Sequence, residues 1–233
     1  PVFTGNITSA DGHLGQFRLS VESFMPASPS SKGGLKFDGQ SQKGISEADL
    51  ILDLRGRAPL FPSPKKRDGY FNPDPNNPAL VANALFELTN LVGSFDKPRY
   101  VDYDDTICAH SRATINGCTR CIDHCPTSAI KSVGDNVEFD PYICAGCGTC
   151  ASICPTGAAR YNLPAGETLI KRLRTQLKTY TGASGKIPRL LVHDIEFGED
   201  IIDLIARNGS GLPSNILPFA VNQVTQIGLD FFL

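Results

Sequence analysis

Residues 144–155 read Cys-Ala-Gly-Cys-Gly-Thr-Cys-Ala-Ser-Ile-Cys-Pro, which is a C-x₂-C-x₂-C-x₃-C-P run. Three cysteines at three-residue spacing, on a tight loop and the turn that follows it, can reach three corners of one metal cluster. The proline after Cys154 biases that cysteine toward extended backbone, so the chain turns away there. The run therefore predicts thiolate ligation of metal.

A second, altered copy of this run lies upstream. Residues 117–127 superpose on residues 146–156 at an offset of 29, and residues 104–109 superpose on residues 140–145 at an offset of 36. The difference, 36 − 29 = 7, is an insertion that lengthens the gap between Cys108 and Cys118 to nine residues. The repeat therefore makes Cys108 the counterpart of Cys144.

All eight cysteines fall within 47 positions of a 233-residue chain. A secreted disulfide scaffold usually spreads its cysteines through a small domain, so this clustering indicates metal ligation in a reducing compartment, the cytoplasm. A structural zinc site is the main rival, but it usually takes two separated C-x₂-C pairs and does not explain the repeated C-x₃-C-P ending. Thioredoxin-like chemistry at Cys118 and Cys121 lacks the surrounding βαβ pattern.

Residues 98–163 resemble the bacterial two-cluster ferredoxins, which carry the same cysteine run. The resemblance implies two [4Fe–4S] clusters that transfer single electrons. It also implies that the fourth cysteine of each copy ligates the cluster of the other copy. Carried over by position, one cluster takes Cys108, Cys118, Cys121 and Cys154, and the other takes Cys144, Cys147, Cys150 and Cys125.

The two loops differ in composition. The second loop contains the small residues Ala145, Gly146 and Gly148, which let backbone N–H groups approach the sulfurs. The first loop has the insert, with His110, Ser111, Arg112 and Asn116. A cation among these residues would favour a reduced cluster. For the side chains of His110 and His124, however, the sequence predicts solvent exposure.

The flanking sequence resembles a subgroup of larger bacterial ferredoxin-like proteins encoded near molybdenum formate dehydrogenases. The stretches that carry this likeness are residues 97–100, 107–111, 117–121, 211–218 and 224–230. The likeness implies a redox partner of the formate dehydrogenase type.

The predicted fold class is α+β in three parts. Residues 1–97 form a β-containing N-terminal domain, with strands predicted at residues 15–21 and 48–54 and a closing helix from Leu80 to Val92. Residues 98–163 form the ferredoxin-like module. Residues 164–233 form a helix at residues 167–179 and then an α/β unit, with strands at 189–193 and 216–221 around a helix at 198–207.

Composition limits the partners and the location. The net charge of −2, from 22 basic and 24 acidic residues, gives no electrostatic reason to expect nucleic acid. No apolar run reaches the roughly 18 residues that a membrane span needs. The chain begins at Pro1 and stops within the apolar residues 231–233, so we expect it to be a piece of a longer protein.

Several functional assignments follow from these patterns. An electron carrier with no substrate site of its own is the first. The second assignment is the electron-transfer part of an oxidoreductase whose flavin or other cofactor lies in flanking regions. The third is a redox-sensing or assembly factor. The acidic residues around Asp194, Glu199 and Asp203 are predicted to cap and decorate a helix rather than to bind metal.

Overall fold

A computed structural model describes residues 1–29, 33–37, 40, 42–63, 67–110, 117–184 and 187–231 of the protein. These residues mix helices and strands, in keeping with the predicted α+β class. They divide into two compact units, Pro1–Asp96 and Lys97–Leu233.

An antiparallel three-stranded sheet forms the first part of the N-terminal unit. It consists of β1 (Phe3–Asp11), β2 (Phe17–Pro26) and β3 (Gln42–Ala48), in that order. The alternation predicted for residues 15–21 is the start of β2, where Phe17 and Val21 are buried. Phe17 packs in a core with Ile51, Phe61 and Tyr70, so one face of β2 is buried.

The apolar run at residues 48–54 does not form one strand as predicted. It spans the end of β3 and a separate short strand, β4 (Ile51–Leu52), which pairs in parallel with β5 (Tyr70–Phe71). The predicted closing helix is present as α1 (Pro78–Thr89), with Asn77 accepting hydrogen bonds at its N-terminus. It ends at Thr89, so Leu91 and Val92 lie beyond it.

The cysteine region combines short strands with single-turn helices. Its strands are β6 (Val101–Tyr103), β7 (Ile130–Val133), β8 (Asn136–Phe139) and β9 (Ala159–Tyr161). β6 pairs antiparallel with β9, and β7 forms a hairpin with β8. The first residues of the helices α2 (Arg120–Asp123) and α3 (Thr149–Ser152) differ by the repeat offset of 29.

The remaining residues form the predicted strand–helix–strand pattern. A long helix, α4 (Gly166–Ser184), precedes β10 (Arg189–Asp194), α5 (Gly198–Asn208) and β11 (Ile216–Val221). β10 and β11 are parallel, as a βαβ connection requires. Two 3₁₀ turns follow, at Val224–Gln226 and Leu229–Phe231.

The residues after 163 share one compact unit with the cysteine region. Leu169 of α4 packs with Phe219 and Val221 of β11 in a core of their own. A domain boundary between residues 163 and 164 remains a prediction. Among the described residues, no helix has both the length and the apolar composition to cross a bilayer.

Candidate iron–sulfur site

Each copy of the repeat begins with an aspartate that shapes the turn before its first cysteine. Asp104 Oδ1 accepts a hydrogen bond of 3.0 Å from Thr106 N, at the start of the 3₁₀ turn that leads into Cys108. Asp140 Oδ1 accepts bonds of 2.9 and 3.1 Å from the two backbone N–H groups that precede Cys144. Such Asx turns offer the backbone a local alternative to helix or sheet. Both first cysteines are therefore placed by the same device.

The third cysteine of each copy lies in one of the two single-turn helices. Cys121 lies in α2 and Cys150 lies in α3. In the second copy Gly146 and Gly148 have φ values of +69° and +75°, a conformation that favours glycine. A Cβ at Gly146 would lie 2.6 Å from the Tyr100 ring, so the loop passes close to its neighbours here.

The fourth cysteine of each copy accepts hydrogen bonds on its sulfur. Cys125 Sγ accepts from Ala129 N at 3.3 Å, and Cys154 Sγ accepts from Ala159 N at 3.5 Å. Burial by itself would raise the pKa of Cys154, but hydrogen bonds from backbone N–H groups and from a threonine hydroxyl lower it overall. These bonds favour the thiolate, which is the form that binds iron.

A threonine two residues after each fourth cysteine was missed at the sequence level. Thr127 Oγ1 lies 3.7 Å from Cys125 Sγ, and Thr156 Oγ1 lies 3.7 Å from Cys154 Sγ. The signal was present, because both copies of the repeat read Cys-Pro-Thr at this point.

Four cysteines from both copies line one pocket: Cys108, Cys118, Cys121 and Cys154. Burial raises the pKa of Cys121 to about 11, and the neighbouring thiols Cys108, Cys154 and Cys118 add to the rise. The sulfurs that affect Cys121 therefore include the fourth cysteine of the other copy.

Cys150 has a different set of neighbours. Burial raises its pKa to about 12, and Cys144, Cys147 and Cys125 follow as the next largest influences, ahead of Cys121. Burial also raises the pKa of Cys144, while a hydrogen bond from Gly146 N–H and the charge of Lys97 oppose the rise. Cys125, the fourth cysteine of the first copy, therefore lies near Cys144 and Cys150 of the second copy.

These thiols fit an iron–sulfur cluster. All eight cysteines lie among the described residues, and none of them forms a disulfide. Thiols with raised pKa values keep their protons at neutral pH unless a cation stabilises the thiolates, and iron supplies that charge. In the described ranges no three Cys, His, Asp or Glu side chains converge to hold one metal ion. Cubane ligands each bind a different iron atom, so this spacing is compatible with a cluster.

His110 is buried, so the prediction of an exposed loop residue is wrong. Only 3% of its surface is accessible. Its Nδ1 lies 3.0 Å from Cys118 O, and its Nε2 lies 2.9 Å from Ser132 Oγ. A carbonyl can only accept, so Nδ1–H donates and Nε2 is left for the serine hydroxyl. His110 thus ties the first loop to β7. Ser111, Arg112 and Asn116 lie outside the described residues.

Replacing His110 with alanine should therefore loosen the first loop. The part-buried Cys118 carbonyl would lose its donor, which costs about 1 kcal/mol. We expect faster iron release to a chelator, measured from the bleaching of the cluster absorbance. His124→Ala is the matched control, because His124 is exposed as predicted and bonds only the carbonyl of Arg120 in its own helix, at 3.0 Å. Equal release rates in the two variants would contradict this role of His110.

Comparison with known proteins identifies the family of this region. Residues 115–158 match the family described as the 4Fe-4S dicluster domain. An uncharacterized ferredoxin of Methanocaldococcus jannaschii is 39% identical over 44 residues, which are 18% of this chain and 71% of that ferredoxin. The chain belongs to the ferredoxin family. Its cysteine region is thus a [4Fe–4S] electron-transfer domain.

A segment far from the ferredoxin motif lies against its second loop. Tyr161 Oη donates to Gly146 O at 2.9 Å, and Asn222 Nδ2 donates to Tyr161 Oη at 2.8 Å. Burial raises the pKa of Tyr161 to about 12, so its hydroxyl keeps the proton that it donates. Thr225 Oγ1 also donates to Cys147 O. Sequence reasoning did not find these residues, because they follow the loop by up to 78 positions without a shared pattern.

Of the acidic residues near α5, Asp194 bonds backbone donors at the start of that helix, in keeping with the predicted capping role. Asp194 Oδ1 accepts from the N–H groups of Glu196, Phe197 and Gly198 at 3.0, 2.7 and 3.3 Å. These bonds lower the pKa of Asp194 and satisfy donors at the helix start.

Proposed function

We propose that the ferredoxin domain holds two [4Fe–4S] clusters and passes single electrons between redox partners. The observation that carries the proposal is the pocket that Cys108, Cys118 and Cys121 share with Cys154 of the other copy. The thiols that act on Cys121 are Cys108, Cys154 and Cys118, whereas those that act most on Cys150 are Cys144, Cys147 and Cys125. Two groups of four cysteines suit two cubanes, each of which needs four thiolates.

The ligation in this proposal is crossed. One cluster takes Cys108, Cys118 and Cys121 with Cys154, and the other takes Cys144, Cys147 and Cys150 with Cys125. Support comes from the pocket that Cys154 shares with the three cysteines of the first copy. A cluster bound in this way supplies one-electron chemistry.

The protein's own groups would favour the negative, reduced form. Backbone N–H groups of Ala129 and Ala159 donate to the sulfurs of Cys125 and Cys154. Lys97 lies near enough to Cys144 to lower its pKa against the effect of burial. Donors and cations near the sulfurs stabilise added negative charge.

The proposed setting is the cytoplasm, and the proposed partner is a redox enzyme of the molybdenum formate dehydrogenase type. The setting rests on the clustering of the cysteines, and the partner rests on the likeness of the flanking stretches. Affinity purification from the native host, under anaerobic conditions, tests it. Recovery of a molybdenum-containing enzyme, and its loss at high salt, is the expected result.

The metal content tests the two-cluster proposal directly. Anaerobically purified protein should hold about eight iron atoms and eight acid-labile sulfides per chain, the sum of two cubanes. Iron, sulfide and zinc are measured together on protein from iron-replete expression. Four iron atoms would mean one cluster, and stoichiometric zinc would remove the iron–sulfur proposal altogether.

A second candidate function is the electron-transfer part of an oxidoreductase with a further cofactor. An open groove of about 750 Å³ favours it; Lys171, Arg172 and Gln176 of α4 line one side, and His193 and Glu199 lie on the other. The basic side chains could hold an anionic cofactor. Flavin absorbance in the purified protein, or bleaching of the clusters by a substrate, would support this function, whereas reversible reduction without turnover supports the carrier.

A further inference from the structure

Gln226 carries a buried amide whose polar atoms have no protein partner. Only 7% of its surface is exposed. Its Nε2 and Oε1 are both buried and make no hydrogen bond to any described residue. A buried polar group without a partner costs about 1–3 kcal/mol, so such groups are rare in folded proteins. The amide therefore requires a partner other than the residues that the structure describes.

The position of Gln226 indicates what that partner is. A Cβ at Gly148 would lie 2.5 Å from Cβ of Gln226, so the glutamine packs directly on the loop between Cys147 and Cys150. The adjacent Thr225 hydroxyl donates to Cys147 O and fastens the segment there. The cysteines of this loop place sulfur, which can accept a hydrogen bond from an N–H group, on the stretch of chain that Gln226 contacts.

We propose, building on the two-cluster function above, that Gln226 donates its Nε2–H to a sulfur of the cluster held by Cys144, Cys147, Cys150 and Cys125. A donor to sulfur stabilises the reduced cluster more than the oxidised one, because the reduced cluster carries the extra negative charge. Gln226 therefore raises the reduction potential of that cluster.

Among the described residues of the first loop, the position that corresponds to Gly148 makes a different contact. Gly148 corresponds in the repeat to Thr119, at the offset of 29. The Thr119 hydroxyl donates instead to Asp123 Oδ2 at 2.7 Å, within its own helical turn. The glycine opens the second loop to Gln226, whereas a side chain occupies the same position of the first loop. The effect of Gln226 is thus specific to one cluster.

Gln226→Met tests the proposal, because methionine keeps the length and apolar stem of glutamine but cannot donate. Gln223→Met, in the same segment, is the matched control. Iron and sulfide content is measured first in the wild type and in both variants. A cluster missing from the wild type is failure of the two-cluster function, whereas a cluster missing only from a variant is failure of that variant to assemble. Each cluster is then titrated by EPR at controlled potential.

In Gln226→Met the ratio of reduced to oxidised protein, measured at a fixed ambient potential, should fall about tenfold for one cluster. For a one-electron couple this corresponds to a reduction potential lowered by about 59 mV. The other cluster and both clusters of Gln223→Met should keep their potentials. Two intact clusters with unchanged potentials, or with equal shifts, would overturn the role of Gln226 while leaving the electron-transfer function in place.

A measurement on the wild type covers the case in which the variant does not assemble. Protein labelled with ¹⁵N in the glutamine side chains is reduced and examined by pulsed EPR. Coupling between one reduced cluster and a ¹⁵N nucleus with an exchangeable proton is the expected result. Absence of that coupling from two intact clusters would show that the amide bonds a buried water instead, and would overturn the proposal.

Discussion

Replacing Cys125 with alanine is expected to damage the cluster of Cys144, Cys147 and Cys150, although Cys125 lies only four positions from Cys121. The physical reason is the turn at the Cys-Pro step, which carries the fourth cysteine of each copy away from its own loop. In the structure Cys125 acts on the pKa values of Cys144 and Cys150. EPR spectra that distinguish the two clusters make the measurement.

Cys154→Ala is the reciprocal variant. It should damage the cluster of Cys108, Cys118 and Cys121, because Cys154 shares their pocket. The two variants thus control for each other, since each is expected to spare the cluster nearest to it in sequence. If Cys125→Ala alters only the cluster of Cys108, Cys118 and Cys121, ligation is local and the crossed arrangement is wrong.

The proposed crossed ligation would also join the two copies through metal. Because metal binding supplies folding free energy, loss of either cluster should destabilise the whole cysteine region. We expect faster hydrogen exchange in both copies of the repeat in each variant. Faster exchange confined to one copy would show that each copy folds around its own cluster.

The parts of the site that follow from local spacing could be predicted from the sequence. The offset of 29 between the copies reappears in the positions of α2 and α3. The offset of 36 reappears in the aspartates that shape the turns before Cys108 and Cys144. Ligand loops of this kind are short, so their geometry is encoded within a few residues.

The parts that depend on distant contacts could not be predicted. His110 looked like an exposed residue because its partners, Cys118 O and Ser132 Oγ, become neighbours only when the first loop folds onto β7. Thr225 and Gln226 contact a loop almost 80 positions earlier, and no periodicity links them to it. Likewise, residues 48–54 read as one apolar run, but a change of pairing partner divides them between β3 and β4.

Replacing Asp53 with alanine should destabilise the N-terminal unit by about 3 kcal/mol, the second large effect we expect. The Asp53 side chain is only 1% exposed and pairs with Arg55 at 2.8 Å. It also accepts a bond of 2.8 Å from the hydroxyl of Tyr70, which belongs to the core of this unit. The variant leaves that buried hydroxyl without its acceptor and the guanidinium without its counter-ion.

The pH dependence of this effect follows from the direction of the pKa shift. Burial by itself would raise the pKa of Asp53, but hydrogen bonds from Arg55 and Tyr70 outweigh it and lower the pKa overall. A carboxyl with a lowered pKa contributes stability above its unfolded value of about 3.9, and this stability is lost as the pH falls. The difference in the free energy of unfolding between wild type and variant should therefore be constant near neutral pH and shrink below about pH 4.

Hydrogen exchange of peptides from residues 1–96 measures the change, with the EPR signals of the clusters recorded on the same samples. Glu47→Ala is the matched control, because the Glu47 and Arg18 side chains are 67% and 69% exposed and such surface pairs contribute less than about 1 kcal/mol. We expect Asp53→Ala to speed exchange of the most protected amides roughly a hundredfold while the cluster signals stay unchanged. If Asp53→Ala abolished the cluster signals as well as the protection of these amides, the prediction that residues 1–97 form a domain of their own would be contradicted.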